Sequence, residues 1–237
     1  MSRKALDEVT RTVAIPDGIA TVLFDLDGTL TDPKVGITLS IRHAMAELGR
    51  PLDDAVDLDW CIGPPLIDAF ARLLDGDHTL AEAGVAAYRA RYATVGLYEN
   101  EVYPGIADLL EALVADRRRL VLATSKPRVF AARILEHFGL DRVFAAVHGS
   151  ELDGTRVHKT DLLPWILETE AIDPAAAVMI GDREHDVIGA RAAGITTVGV
   201  AWGYGRDGEL AAAGAAEVVE RVADLAELLL ARPSPVD

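Results

Sequence analysis

Short apolar runs alternate with segments of helical periodicity along most of this chain, and this alternation restricts the folds open to it. The runs lie at residues 20–25, 119–124, 143–147, 176–181 and 195–200. Apolar residues recur at helical spacing over 106–117, 127–138, 160–170, 184–193 and 225–230. The pattern predicts an α/β fold with a doubly wound core, in which helices cover both faces of a parallel sheet. Ligands are expected at the carboxyl ends of the strands.

The connection between the first two runs is too long for a simple crossover. Residues 32–102 carry helical patterns at 37–48, 65–74 and 79–96, bounded by Pro33 and by Pro104-Gly105. The sequence therefore predicts three parts. These are a first core part at 1–31 with an N-terminal arm, an inserted α-helical domain at 32–102, and a second core part at 103–237.

Composition and charge narrow the range of partners. Of 237 residues, 50% are hydrophobic and 26% are charged, which is typical of a globular chain. The net charge of -15 repels a phosphate backbone at long range, so we expect no nucleic-acid partner. No apolar run resembles a signal peptide or a membrane span, which predicts a cytoplasmic protein without a membrane partner. The oligomeric state stays open, and the lone Cys61 is expected to be a buried residue of the insertion.

The most informative local pattern is the heptad Phe24-Asp25-Leu26-Asp27-Gly28-Thr29-Leu30, where a hydrophobic strand runs into two carboxylates. Strand geometry places the side chains of Asp25 and Asp27 on the same face. Two like charges side by side are costly unless a cation binds there or one group is protonated. The pair therefore favours a functional site over a polar turn.

This heptad resembles the first signature of haloacid dehalogenase-like hydrolases, and three further signatures follow in the order typical of that family. Thr124, followed by Ser125, matches the second, and Lys159 matches the third. Asp182 and Asp186, in the acidic segment after a buried strand, match the fourth. The resemblance covers nearly the whole chain after the N-terminal arm. It implies a Rossmann-like core with a helical cap formed by the insertion.

The resemblance also implies a reaction, the hydrolysis of phosphomonoesters through an aspartyl-phosphate. Asp25 would be the nucleophile, and Asp27 would protonate the leaving group and later activate water. Lys159 would neutralise negative charge during catalysis. Lys159, Thr124 and Ser125 would bind the phosphate.

A magnesium ion is the cofactor that the resemblance implies. The side chains of Asp25 and Asp182 and the backbone carbonyl of Asp27 would hold Mg²⁺, which prefers hard oxygen ligands. Asp186 would act from behind these ligands or through water, orienting Lys159 or a ligand.

Four finer segments, at 31–37, 62–66, 99–105 and 149–156, resemble a bacterial subgroup described as 5'-nucleotidase-like, close to phosphoglycolate phosphatases. The predicted partner is a small phosphorylated metabolite, with nucleoside 5'-monophosphates or another small phosphomonoester preferred over phosphoglycolate. Candidate substrate contacts share a place in the cap and are Arg42, Arg89 and Tyr92, with Arg91 and Tyr88 beside them.

Single residues argue against other activities of the family. Asp27 argues against the ATPase and dehalogenase branches, and Ile37 stands where sugar-phosphate mutases have a histidine. Two functions of another class stay open. One is a phosphotransferase that passes the phosphoryl group from Asp25 to an acceptor other than water, and the other is a regulatory protein that binds phosphate without turnover.

Overall fold

A computed structural model describes the chain from residue 15 to residue 231, so most of the expected N-terminal arm lies outside the described residues. Its strands are β1 (Thr21–Phe24), β2 (Thr31–Asp32), β3 (Glu101–Val102), β4 (Arg119–Pro127), β5 (Ala146–Ser150), β6 (Ala177–Gly181), β7 (Thr196–Val200) and β8 (Glu217–Val219). Its α-helices are α1 (Lys34–Glu47), α2 (Leu66–Leu73), α3 (His78–Tyr92), α4 (Ile106–Ala115), α5 (Arg128–Phe138), α6 (Lys159–Glu170), α7 (Glu184–Ala192), α8 (Glu209–Ala213) and α9 (Val222–Leu230).

Six strands form one parallel sheet in the order β5-β4-β1-β6-β7-β8. β1 lies between β4 and β6, and all four of its residues are buried. A continuous apolar strand such as Val22-Leu23-Phe24 is stable there because helices cover both faces of the sheet. The predicted doubly wound α/β core is confirmed.

The strand order reverses at β1, because the chain builds β4 and β5 on one side and β6, β7 and β8 on the other. The carboxyl ends of β4, β1 and β6 therefore meet at a topological switch point, where open α/β sheets leave a crevice for ligands. The acidic and hydroxyl residues of the four sequence signatures follow these strand ends or lie close to them.

Helices α1, α2 and α3 lie between β2 and β3, and we call residues 33–100 the insertion. β2 and β3 pair antiparallel, with Thr31 opposite Val102 and Asp32 opposite Glu101. The chain enters the insertion through β2 and leaves it through β3, so this short ribbon connects the insertion to the core. Phe70 and Tyr92 are among the largest side chains buried in the insertion.

Some elements differ from their predicted bounds. β5 covers 146–150 rather than 143–147, because Asp141–Val143 form a 3-10 helix in the connection between α5 and β5. β8, α8 and the β2–β3 ribbon were not predicted, because each has five residues or fewer and no local period to read. Across residues 15–231, every helix is too short or too polar to span a lipid bilayer.

Candidate active site

Three carboxylates meet where β1 and β6 end. Asp25 follows β1, Asp182 follows β6, and Asp186 lies in the first turn of α7. All three are buried, and carboxylate oxygens of the three lie within 4.8 Å of one another. Parallel pairing of β1 with β6 brings together residues that are more than 150 positions apart in the sequence.

Lys159, the first residue of α6, compensates part of this charge. Its Nζ lies 2.6 Å from Oδ1 of Asp186 and 3.1 Å from Oδ1 of Asp25, and it donates to the carbonyl of Ala123 at 2.7 Å. Burial lowers the pKa of Lys159, but Asp186 and Asp25 outweigh that effect and raise the pKa above its ordinary value. The lysine therefore stays cationic, and one cation faces three carboxylates.

The Asp182 carboxylate is enclosed by backbone. Its Oδ2 accepts a hydrogen bond from the Tyr204 backbone N–H at 2.7 Å, and the Thr29 hydroxyl lies 3.5 Å from Oδ1. A Cβ placed on Gly28 or on Gly203 would lie 2.2 or 2.3 Å from Oδ2. Gly28 also has a φ of +81°, a conformation that glycine adopts without strain. Both positions therefore require glycine.

The acidic cluster fits a divalent cation. Burial, together with the charges of Asp186 and Asp25, raises the pKa of Asp182 well above its ordinary value. Burial likewise raises the pKa of Asp186 to about 6. For all three carboxylates to be charged together, this buried cluster needs a counter-charge beyond Lys159, and hard oxygen donors are the ligands that Mg²⁺ prefers.

The side chain of Asp27 lies apart from this cluster. Its Oδ1 is 2.6 Å from Nζ of Lys126, and the same ammonium donates to the hydroxyl oxygen of Tyr92 at 2.6 Å. Burial raises the pKa of Asp27, while the neighbouring Lys126 opposes that shift. Sequence reasoning assigned no role to Lys126. The available signal was its place two residues after Thr124, at the end of the same strand.

The predicted phosphate-binding residues lie at the same edge of the sheet. The Oγ1 of buried Thr124 accepts a hydrogen bond from the Lys126 backbone N–H at 3.2 Å. Ser125 follows, and its carbonyl accepts from the Ser150 hydroxyl at 2.8 Å. Thr124 and Ser125 line one cavity together with Asp25 and Asp27.

That cavity has a volume of about 130 Å³ and lies between the strand ends and the insertion. The insertion contributes a largely apolar wall that carries one guanidinium; its residues include Leu66, Ile67, Val85, Tyr88, Arg89 and Tyr92. Cys61 also lines this wall, and burial raises the pKa of its thiol to about 12, so that the thiol stays neutral.

The structure separates the candidate substrate contacts into two groups. Arg89, Tyr88 and Tyr92 line the cavity, whereas Arg42 and Arg91 do not. The guanidinium of Arg42 donates to the carbonyls of residues 53, 54 and 56, so it holds the loop that follows α1. Arg91 binds both carboxylate oxygens of Glu99 at 2.8 and 2.9 Å. Both arginines bond to other residues of the insertion and do not line the cavity.

Two core residues connect the core to the insertion and to the ribbon that precedes it; the sequence placed Tyr204, within 202–205, at the mouth of the site and gave Arg183 no separate role. Arg183 donates to the Ile62 carbonyl of the insertion and, through Nε, to Glu209 at 2.9 Å. The Tyr204 hydroxyl donates to the carboxylate of Asp32, which lies in the β2–β3 ribbon. The segment after β7 therefore borders the site, since Tyr204 contacts Asp182 through its backbone and Asp32 through its side chain.

The core is doubly wound, and buried acids and a lysine meet at the carboxyl ends of its central strands beneath a helical insertion. This combination is typical of hydrolases that act on phosphoryl groups. The model of the haloacid dehalogenase-like hydrolase family matches residues 22–200 of this chain. The chain belongs to that family, which confirms the resemblance found in its sequence signatures.

Three relatives are informative. A 5'-nucleotidase of Pseudomonas aeruginosa is 49% identical over 191 residues, which is 81% of this chain and 86% of that protein. The tyrosine-protein kinase PtkA of Mycobacterium tuberculosis is 43% identical over 185 residues, 78% of this chain and 63% of that protein. A phosphoglycolate phosphatase of Rhodospirillum rubrum is 33% identical over 222 residues, covering 88% and 90% of the two chains.

Among solved structures, a predicted phosphatase from Clostridium acetobutylicum superposes with a TM-score of 0.87 at 41% identity, covering 90% of this chain and 99% of that one. Together with the family match, these relatives establish the reaction class. The protein is a phosphatase of the haloacid dehalogenase family, a phosphoric monoester hydrolase.

Proposed function

We propose that this protein hydrolyses small phosphomonoesters in a Mg²⁺-dependent reaction with an aspartyl-phosphate intermediate on Asp25. The observation that carries the proposal is the meeting of Asp25, Asp182, Asp186 and Lys159 beside a cavity that also contains Asp27. The proposed nucleophile, the proposed acid/base group and their counter-charges would then act together at one edge of the sheet.

The proposed reaction has two steps. In the first, Asp25 attacks phosphorus, the bond to the leaving oxygen breaks, and Asp27 gives that oxygen a proton. In the second, Asp27 takes a proton from water as the water attacks phosphorus, which releases phosphate and regenerates Asp25. Lys159 offsets negative charge on the phosphoryl group, and Thr124 and Ser125 hold its oxygens.

The proposed metal ligands are the side chains of Asp25 and Asp182 and the backbone carbonyl of Asp27. Asp186 lies close enough to orient Lys159 or a bound water, since its Oδ1 is 2.6 Å from Nζ of Lys159. A bound Mg²⁺ would supply positive charge to the phosphoryl oxygens and to the nucleophile.

We also propose that residues 32–102 act as a cap that selects the substrate. The cap side of the cavity is apolar apart from Arg89, and contacts from Arg183 and Tyr204 join it to the core. A cavity of about 130 Å³ is smaller than the 300–1,000 Å³ or so of pockets that hold drug-sized ligands. A nucleoside would therefore require the cap to move outward, whereas a compact leaving group fits this arrangement.

Nucleoside 5'-monophosphates are the first proposed substrates, supported by the 49% identity to a 5'-nucleotidase over most of both chains. Phosphoglycolate is the second candidate, and Arg89 favours it. Nη1 of Arg89 donates to the Leu152 carbonyl at 2.7 Å, while its buried Nε has no hydrogen-bond partner. Among the described residues, no carboxylate forms an ion pair with Arg89. A second anionic group on the substrate would satisfy this guanidinium.

A substrate pair that differs by one oxygen atom tests the role of Arg89. Phosphoglycolate carries a carboxylate where 2-hydroxyethyl phosphate carries a neutral hydroxyl. If Arg89 binds the carboxylate, Arg89→Gln lowers kcat/KM for phosphoglycolate by about tenfold to a hundredfold, the range for a hydrogen bond to a charged group. The value for 2-hydroxyethyl phosphate should stay within about threefold, well inside a tenfold change of about 1.4 kcal/mol.

Arg91→Gln is the matched control, because Arg91 lies on the same helix and bonds Glu99 away from the cavity. If a nucleoside 5'-monophosphate exceeds phosphoglycolate by tenfold or more in the wild type, and Arg89→Gln leaves that preference unchanged, the phosphoglycolate candidate fails.

Transfer to another acceptor is the alternative of a different class, supported by the 43% identity to a tyrosine-protein kinase. Water and an acceptor hydroxyl compete for the same aspartyl-phosphate, so product analysis separates the two. Release of the full amount of phosphate, in the presence of tyrosine peptides that stay unlabelled, favours hydrolysis. Labelled peptide in excess of free phosphate would contradict it.

A further inference from the structure

Lys126 joins three parts of the protein at one buried ammonium. Its Nζ donates to Asp27 Oδ1 at 2.6 Å and to the Tyr92 hydroxyl oxygen at 2.6 Å, and it lies 4.9 Å from the centroid of the Tyr92 ring. Asp27 follows β1, Lys126 is near the end of β4, and Tyr92 is the last residue of α3 in the insertion. One cation thus contacts both the proposed acid/base group and the proposed cap.

The contacts of Asp27 make Lys126 important for its orientation. Among the described residues, Lys126 is the one side chain that hydrogen-bonds the Asp27 carboxyl. A carboxyl that transfers a proton must lie within hydrogen-bond reach of the oxygen it serves. Without the ammonium, the side chain of Asp27 would be free to rotate between alternatives in the cavity.

Tyr92 is itself held rigidly. The residue is 1% exposed, and its ring stacks on Tyr88 with centroids 5.0 Å apart and meets Phe130 of the core edge-on at 5.7 Å. A buried ammonium is costly unless it is paired and hydrogen-bonded, and Tyr92 supplies one of its oxygens. That oxygen reaches Lys126 when α3 lies against the strand ends, as it does here.

We propose, as an extension of the function above, that Lys126 and Tyr92 are positioning residues that orient the Asp27 carboxyl. Through Tyr92, this orientation depends on contact between the insertion and the core. The cap thereby does more than enclose the substrate. Its contact with the core completes the orientation of Asp27, the group that protonates the leaving oxygen. An open cap leaves Lys126 without one of its two oxygen partners and Asp27 less ordered.

The test uses leaving groups that differ in their need for a proton. Cleavage of ethyl phosphate expels ethoxide, a basic alkoxide that needs protonation, whereas cleavage of 4-nitrophenyl phosphate expels 4-nitrophenolate, which is stable without a proton. The value of kcat/KM reports the steps up to phosphoryl transfer onto Asp25. General acid catalysis contributes about 10²- to 10⁴-fold, so partial loss of orientation should lower kcat/KM for ethyl phosphate by about tenfold in Tyr92→Phe and about a hundredfold in Lys126→Met. For 4-nitrophenyl phosphate, both variants should stay within about threefold.

Tyr98→Phe is the matched control. The Tyr98 hydroxyl also joins the insertion to the core, since it accepts from Arg133 at 3.0 Å, but it is exposed and does not line the cavity. We expect Tyr98→Phe to match the wild type on both substrates. Lys126→Arg, which keeps the positive charge, should recover part of the loss seen in Lys126→Met. Circular dichroism and thermal melting verify that each variant is folded.

Asp27→Asn separates this inference from the proposed function. If Asp27→Asn loses far more activity on ethyl phosphate than on 4-nitrophenyl phosphate, the acid/base assignment stands. Equal losses on both substrates in Tyr92→Phe and Lys126→Met, or an equal loss in Tyr98→Phe, would then overturn the positioning role alone. If Asp27→Asn itself shows no dependence on the leaving group, the acid/base assignment is wrong and the positioning role falls with it.

Discussion

Replacing Asp182 by Asn should weaken metal binding without lowering the stability of the metal-free protein. Asp182 is one of three buried carboxylates whose oxygens lie within 4.8 Å of one another. Two like charges at that distance repel by about 3.5 kcal/mol at an effective dielectric constant of about 20, and burial, together with this repulsion, raises the pKa of Asp182 in the metal-free protein. Asn keeps the shape and an oxygen that accepts from the Tyr204 N–H, and the Thr29 hydroxyl can rotate to accept from the new amide. We therefore expect the metal-free variant to be at least as stable as the wild type.

The stabilisation of the protein by Mg²⁺, in contrast, should be smaller in the variant. An ion that binds the folded state at a free concentration 100 times its Kd stabilises it by about 2.7 kcal/mol. For a chain of this length, each kcal/mol corresponds to about 2–4 °C, so Mg²⁺ should raise the wild-type Tm by about 5–11 °C. Asp182→Asn should lose most of this increase, together with turnover.

Thermal melting in chelator and across a Mg²⁺ titration measures both effects, with sodium chloride matching the ionic strength. Asp141→Asn is the control, since it removes one charge at an exposed position. A metal-free Asp182→Asn that melts several degrees below the wild type would refute the reasoning from charge repulsion. Equal Mg²⁺-induced increases in the two proteins would refute Asp182 as a ligand.

Three further outcomes are expected. Asp25→Asn should fold normally yet lose turnover by several orders of magnitude and take up no labelled phosphate, as measured by rapid quench. Gly28→Ala should weaken the Mg²⁺-induced increase in Tm, because its Cβ would lie 2.2 Å from Oδ2 of Asp182 and its φ of +81° strains alanine; an unchanged response would show that the loop yields freely. Arg42→Met should lower the free energy of unfolding by about 1–3 kcal/mol through lost bonds to three carbonyls, with the substrate preference unchanged. A changed preference in that variant would restore Arg42 as a substrate contact.

Much of the core could be read from the sequence, because the relevant information is local. The apolar runs at 20–25 and 176–181 became β1 and β6 with shifts of one residue, since a continuous apolar run of that length is stable in a parallel sheet covered on both faces. Asp25 and Asp182 directly follow the two strands. Once the strands are parallel neighbours, their carboxyl ends share an edge, so the proximity of the two carboxylates follows from the strand pattern.

The elements that were missed are stabilised by contacts between distant parts of the chain. β2 and β3 have two residues each and pair across the whole insertion, so neither has a period to detect. β8 has three residues and forms beside β7 at the edge of the sheet. Short strands of this kind depend on tertiary pairing rather than on their own composition.

The residues of the site show the same difference between local and long-range information. The family resemblance, carried by local motifs, predicted Asp25, Asp27 and Lys159 as a set, and each of them stands at a strand end or a helix start. The bond from Lys126 to Asp27 spans 99 residues, and the one from Lys126 to Tyr92 spans 34. Helical spacing alone did not separate Arg89, which lines the cavity, from Arg42, which holds a loop. A side chain's partners depend on how the insertion packs on the core, and only the tertiary structure decides that.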